Sequence, residues 1–254
     1  MPRNQPVVRG DDSAFIEARG CYTTALVTGG VARFAERHAD RLQRDAARLR
    51  IGEVDRRDVL RAFAELSEAA FSEGEGIIRL QASRDGDGAL HLVGIPREVG
   101  EPSPTGGWAA VLSEIPHEGS TVYSGCKVTH RLFFALALDA AHDVGADEAL
   151  LFDTAGFLVE GARSAVFVAD RSGALITPPL ERGCVFSIGR EVVLERIPQV
   201  IVRDLTLDTL RTAEEIIAVN AVRGARPIHT LGGRPVGGGH SRWFDLLSRA
   251  LATD

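Results

Sequence analysis

The sequence predicts a two-domain α+β protein, and three observations carry that expectation. Helical and strand periods mix in the first half, while short apolar strands broken by turn formers dominate the second. Between them, Pro116 to Gly125 (PHEGSTVYSG) has no clear period and many turn residues. We therefore place a smaller N-terminal α+β domain over 1–117, a linker over 118–126 and a strand-rich C-terminal domain over 127–254. At 254 residues, 44% of them hydrophobic, the chain has material for two modest cores.

Each element has a local reason. Ala14–Ala18 and Cys21–Val27 read as short strands, with Gly29-Gly30 as the turn after the second. Glu36–Leu49 carries Ala39, Leu42, Ala46 and Leu49 at helical spacing, and Asp55–Ser72 is a second helix with Asp55 as its N-cap. Gly76–Ala82 and Ala89–Ile95 flank the hairpin turn Arg84-Asp-Gly-Asp-Gly88, and Trp108–Ile115 gives a further strand. Leu132–Val144 (LFFALALDAAHDV) is apolar at almost every position, which predicts an interior helix. Strands follow at Ala149–Phe152, Phe157–Glu160, Ser164–Ala169 and Ala174–Thr177, the last stopped by Pro178-Pro179. Ile188–Ile197 reads as a helix, Val200–Leu205 and Glu215–Asn220 as strands, and His240–Leu251 as a closing helix. Gly232-Gly233 reads as a hairpin turn; neither it nor Gly237–Gly239 has the spacing of a nucleotide loop.

Composition narrows the function classes. A net charge of −6 and a pI near 5.7 argue against nucleic-acid binding. No apolar run reaches the roughly 20 residues of a membrane helix. The N-terminus lacks the apolar core of a secretory signal, so the cytoplasm is the expected compartment. Cys21, Cys126 and Cys184 are too scattered for a disulfide framework or a zinc site, and no metal is expected.

Several residues call for chemistry. Lys127 precedes the apolar helix, where low dielectric disfavours an ammonium and favours an amine nucleophile; snorkelling into water is the alternative. Glu160 ends an apolar strand, where a carboxylate needs a cation or a strong donor. Arg163 or Arg223 would serve, and so would a protonated heterocyclic nitrogen. Gly183 to Arg190 (GCVFSIGR) opens a helix with unpaired backbone donors suited to phosphate, as many helix starts do without using them. Arg41 could grip phosphate, or belong to a solvated basic face with Arg37, Arg44 and Arg48.

In order and spacing these features resemble the fold-type IV pyridoxal-phosphate enzymes: branched-chain aminotransferases, D-amino acid aminotransferases and 4-amino-4-deoxychorismate lyases. The segments are His38-Ala-Asp-Arg-Leu42, Lys127, Ala146–Asp153 with Leu158-Val-Glu-Gly161, Thr177-Pro-Pro-Leu180 with Gly183–Arg190, and Glu214–Ala221. The resemblance implies pyridoxal 5'-phosphate as cofactor, Lys127 as its Schiff-base lysine and Glu160 as the partner of its pyridinium. It also implies phosphate contacts from Arg41, Ile188, Gly189 and the Asn220-Ala221 pair.

Gly20-Cys-Tyr-Thr-Thr24 and Asn220-Ala-Val-Arg-Gly224 are most similar to the 4-amino-4-deoxychorismate lyases of folate biosynthesis. That resemblance implies release of pyruvate and 4-aminobenzoate, with Thr24 protonating the departing group and a class IV aminotransferase as the alternative. Alternation on the strand lets only one of Thr23 and Thr24 face a site, and the resemblance selects Thr24. Tyr22, Arg84 and Arg223 are the expected substrate contacts, with Arg163 also a candidate carboxylate anchor, and a homodimer acting on a small amine is implied. The chain departs from the family pattern at His130, where asparagine is common, and at Ser164-Ala165, where serine-asparagine is usual.

Overall fold

The computed structural model describes residues 8–100, 107–237 and 242–254. The chain divides into two compact units, one built from 1–100 with 126–130, the other from 101–125 with 131–254.

The first unit holds α1 (Ser13–Ile16), β1 (Cys21–Thr28), β2 (Val31–Ala32), α2 (Ala35–Arg48), α3 (Arg56–Phe71), β3 (Glu75–Arg84) and β4 (Leu90–Arg97). Its antiparallel sheet runs β2-β1-β3-β4. Gly29 and Gly30, at φ 57° and 73°, supply the left-handed pair that a tight β1–β2 turn requires. Cys21, Ala25 and Val27 of β1 pack with Ile78, Leu80 and Ala82 of β3 against Leu42, Ala46, Val59 and Phe63 of the helices. Asp55 caps α3 by accepting from Arg57 N–H. Ala14–Ala18 is not a strand. Asp12 accepts Ala14 N–H at 2.8 Å and turns the chain into α1, while the Ser83 hydroxyl donates to the same carboxylate.

The second unit contains β5 (Trp108–Leu112), α4 (Leu132–Asp143), β6 (Glu148–Phe152), β7 (Leu158–Gly161), β8 (Ala165–Ala169), β9 (Leu175–Thr177), α5 (Ile188–Arg196), β10 (Ile201–Val202), α6 (Leu207–Arg211), β11 (Glu215–Asn220), β12 (Gly224–Leu231), β13 (Arg234–Pro235) and α7 (Arg242–Ala250). Its sheet runs β10-β9-β8-β11-β12-β5-β6-β7, with β13 beside β12. The Trp108 strand was expected in the first domain; it pairs in parallel with β12 and β6 and belongs here. Conversely, Cys126–His130 joins the first unit, where Val128 bridges to Cys21. Val200–Leu205 shrinks to a two-residue strand against β9. The sequence reading missed α6, β12 and β13. His240 and Gly238-Gly239 lie outside the described residues.

The helix after Lys127 is not interior on all sides. Phe134, Ala137 and Ala141 of α4 are buried, but Leu132 and Leu136 are 65% and 48% exposed. No helix among the described residues is long and apolar enough to cross a membrane. Among them, no group of three His, Cys, Asp or Glu side chains could hold a metal.

Glu148 opens β6 as a fully buried acid. It accepts from the Ser164 hydroxyl at 2.7 Å and from Ala149 N–H at 3.0 Å. Burial outweighs these donors and pushes its pKa up to about 7. A raised carboxyl stabilises the fold fully below its unfolded value, and that contribution is lost as pH rises through about 7. Between pH 5 and 8, urea unfolding should therefore cost the wild type about 1–3 kcal/mol more stability than Glu148→Gln loses. Equal pH slopes for the two proteins would contradict this.

Candidate active site

Strand alternation on β1 sorts two threonines. Thr23 is fully buried beneath the sheet, where its hydroxyl receives Arg41 Nη2–H at 2.5 Å and lies 2.6 Å from His38 Nδ1. Burial, then the charges of Arg41 and Lys127, push the His38 pKa well down, so its imidazole is neutral. The Thr23 hydroxyl can then donate to Nδ1. Tyr22 and Thr24 alternate with Thr23 and share the other face. On that face Lys127 Nζ stands 5.0 Å from the Tyr22 ring centroid, and the Arg79 guanidinium lies 3.7 Å from it.

The main chain of Lys127 is held at both ends. Its carbonyl accepts Tyr22 N–H at 2.9 Å, and its N–H donates to Asp45 Oδ2 at 2.9 Å. Asp45 sits on α2, fully buried, with Arg44 donating to its other oxygen at 3.1 and 3.2 Å. Burial first, then the Asp45 carboxylate, push the neighbouring Cys126 pKa up to about 11, so it is a packed thiol at neutral pH.

In the second unit, Glu160 ends its strand buried, at 6% exposure. Its carboxylate is bonded by neither Arg163 nor Arg223. Arg163 instead stacks over Trp108 at 4.8 Å and donates to the Asp147 carbonyl. Val185 N–H approaches both Glu160 oxygens, at 3.2 and 3.3 Å, and His117 Nε2 lies 3.4 Å from Oε1. The loop carrying Val185 touches the loop after His117 through Gly183. At φ +101° Gly183 has no room for a side chain, since a Cβ would meet the Gly119 carbonyl oxygen at 2.1 Å.

Three residues beyond Val185, α5 begins. Ser187 caps it by accepting Arg190 N–H, while the N–H groups of Ile188 and Gly189 find no acceptor among the described residues. A Cβ at Gly189 would lie 2.7 Å from Val219 Cγ1, so glycine lets the helix start lie close against β11. At the end of β11 the Asn220 side chain serves its own turn. Oδ1 accepts from Val222 and Arg223 N–H at 3.0 and 2.7 Å, and Nδ2 donates to the Arg163 carbonyl at 3.3 Å. The Ala221 N–H is left outside those bonds. Within the second unit, open backbone donors at 188, 189 and 221 and a buried acid suit the phosphate and ring nitrogen of a phosphorylated pyridine aldehyde, and within the first, the lysine amine suits its aldehyde. The residues fit the group.

Not every expected contact is placed alike. Arg84 shares strand parity with Leu80 and Ala82, on the opposite face from Tyr22. Arg79 and Gln81 are the β3 residues paired to Thr24 and Tyr22, and they were missed. Their signal was available, because polar residues at 79 and 81 alternate with apolar Ile78 and Leu80. Asp45 and His117 gave no such signal. His130 is exposed. Removing the Asp45 carboxylate strands a peptide N–H, so Asp45→Ala should lower unfolding free energy by about 1–3 kcal/mol in urea titrations. Asp45→Asn keeps an acceptor and should recover most of the loss; equal losses would argue against the hydrogen bond.

With this geometry in place, comparison with known proteins is direct. The family model for class IV amino-transferases matches residues 20–231. A bifunctional aminodeoxychorismate lyase / D-amino acid transaminase of Mycobacterium tuberculosis is 27% identical over 90% of this chain and 87% of its own. A branched-chain-amino-acid aminotransferase of Pseudomonas aeruginosa is 29% identical over 44% of this chain. The match spans only 40% of that relative, and 39% of a Methanocaldococcus jannaschii one. Among solved structures, the PLP-bound form of a hypothetical Mycobacterium tuberculosis aminotransferase shares the fold at TM-score 0.85 and 24% identity, covering 99% of this chain and 94% of that one. The 4-amino-4-deoxychorismate lyase of Pseudomonas aeruginosa does so at 0.81 and 23%, covering 98% and 96%. The chain belongs to the class IV aminotransferase family of pyridoxal-phosphate enzymes.

Proposed function

We propose that this enzyme is a 4-amino-4-deoxychorismate lyase that releases pyruvate and 4-aminobenzoate, a reaction of folate biosynthesis. One observation carries the reading: alternation on β1 sets Thr24 on the face of Tyr22, whose ring lies 5.0 Å from the Lys127 amine, while Thr23 is turned to the opposite face beneath the sheet. The lyase-like Gly20–Thr24 segment and the Mycobacterium tuberculosis relative support it.

Residue roles follow from chemistry. When bound, pyridoxal phosphate supplies an electron sink for charge developing on the amine-bearing carbon. Lys127 would hold the cofactor through its amine and, once displaced by the substrate's own amine, would be free to take the proton from that carbon. Glu160 supplies the acid for the ring nitrogen. Ile188, Gly189 and Ala221 N–H groups and the Arg41 guanidinium receive the phosphate. Thr24 gives the departing enolpyruvyl group its proton. Arg79, rather than Arg84, shares the face of Lys127 and Tyr22 and offers a fork for a substrate carboxylate. Arg223, in the β11–β12 turn, is a second anchor. The same reading makes the protein a cytoplasmic homodimer, which the exposed Leu132 and Leu136 suit.

A class IV aminotransferase acting on branched-chain or D-amino acids, or on amines, is the second reading, favoured by the names of the relatives. In that reading the same lysine and glutamate would serve, with Lys127 carrying the proton. Incubating the holoenzyme with 4-amino-4-deoxychorismate should yield 4-aminobenzoate and pyruvate in equal amounts. Thr24→Ala should slow this about 100-fold, and Lys127→Ala should abolish it. Amino-group transfer to 2-oxoglutarate without any 4-aminobenzoate would establish the second reading instead. Steady-state kinetics of Arg79→Ala should show KM raised about 10–100-fold with kcat little changed, and Arg84→Ala near wild type. The reverse ranking would reject Arg79 as the anchor.

A further inference from the structure

We propose that His117 is the positioning residue of Glu160: a neutral Nε2–H donor that aims the carboxylate without cancelling its charge. The inference rests on the reading of Glu160 as the acid for the cofactor's ring nitrogen.

The tautomer follows from geometry. Gly119 N–H donates to His117 Nδ1 at 2.9 Å, so that nitrogen keeps its lone pair. The remaining ring hydrogen must then sit on Nε2, the atom 3.4 Å from Glu160 Oε1. The ring has little freedom to leave. It is 5% exposed, and the rings of Phe133 and Phe134 on α4 meet it edge-on at centroid distances of 5.4 and 5.8 Å.

Val185 N–H, the other donor to the carboxylate, is shared between both oxygens and cannot by itself choose which one turns toward a ligand. A donor placed at Oε1 alone breaks that symmetry and leaves Oε2 as the freer acceptor. The neutrality of the donor matters as much as its place. An imidazolium there would compete with a cationic pyridine for the same negative charge at close range. An N–H dipole orients the acid and leaves its charge for the ring. Cys184, beside the same carboxylate, is pushed up to about 12 by burial and then by Glu160, so it adds no rival charge at neutral pH.

The test uses the apoprotein and two ligands, pyridoxal phosphate and its 1-deaza analogue, whose ring carries CH in place of nitrogen. The ratio of their dissociation constants reads the acid–nitrogen contact and is insensitive to a general loosening of the site. His117→Phe, which keeps a ring but no donor, should shrink the ratio about tenfold or more, and His117→Gln, which restores an N–H, should recover most of it. A His117→Phe ratio equal to wild type, while Glu160→Gln collapses it, overturns the role of His117 alone. A ratio unmoved by Glu160→Gln overturns the underlying reading of the acid, and the proposal with it. Should His117→Phe fail to fold, histidine 15N NMR of the wild-type apoprotein decides. An Nε2–H tautomer at His117 is expected, and an Nδ1–H tautomer refutes the proposal.

Discussion

One peptide unit organises the first half of the molecule: the main chain of Lys127, gripped by a buried carboxylate on one side and a strand N–H on the other. A lysine side chain has four rotatable bonds, so its amine is only as well placed as the backbone from which it hangs. Here that backbone is stitched to β1 and α2 together. Asp45 tolerates full burial because Arg44 and the Lys127 amide both donate to it. The same helix carries Arg41 and His38 into the layer beneath β1, where Thr23 links them. The Arg41–Thr23–His38 cluster and the supports of the lysine thus share one helix and one strand, and a shift of either element would disturb both.

The second unit solves a different problem, holding an acid in an apolar setting without quenching it. Arginines are nearby in sequence, yet they are occupied elsewhere: Arg163 on a backbone carbonyl and a tryptophan face, Arg190 on the Pro178 carbonyl. Glu160 is met by the Val185 N–H and the His117 ring rather than by Arg163. Glu148 lies on the neighbouring strand and is likewise met only by a hydroxyl and an amide; its pKa rises to about 7. Two buried acids in one unit therefore differ in what they face. Glu148 is disposed to hold a proton itself, while Glu160 faces a backbone N–H and an imidazole ring.

Legibility in the sequence followed the range of the forces involved. Helices α2 and α3 and the β3–β4 hairpin could be read because their periodicity, caps and turn glycines are local. The Ala14–Ala18 strand was misread because its conformation depends on Asp12, whose carboxylate is itself fixed by Ser83, 71 residues away. β5 was assigned to the wrong domain because parallel pairing with β6 and β12 leaves no turn signature to read. Strand parity, which separates the faces of Thr23 and Thr24, is local enough to be read from the sequence. Which β3 side chains share the face of Tyr22 depends on the register with β1, which places Arg79 there and Arg84 on the other face. His117 could not have been found, since it sits in a stretch whose composition says only that it is irregular.

The close approach of Gly183 to the Gly119 carbonyl carries a further implication. The two loops pressed together there each bring one group to the same carboxylate, the Val185 N–H from one and the His117 ring, 3.4 Å away, from the other. A single methyl group at position 183 would meet the Gly119 carbonyl and wedge them apart. Residue 183 thus acts as a spacer that sets where two groups stand against Glu160, and the chain's choice there is restricted to the one amino acid that has no side chain.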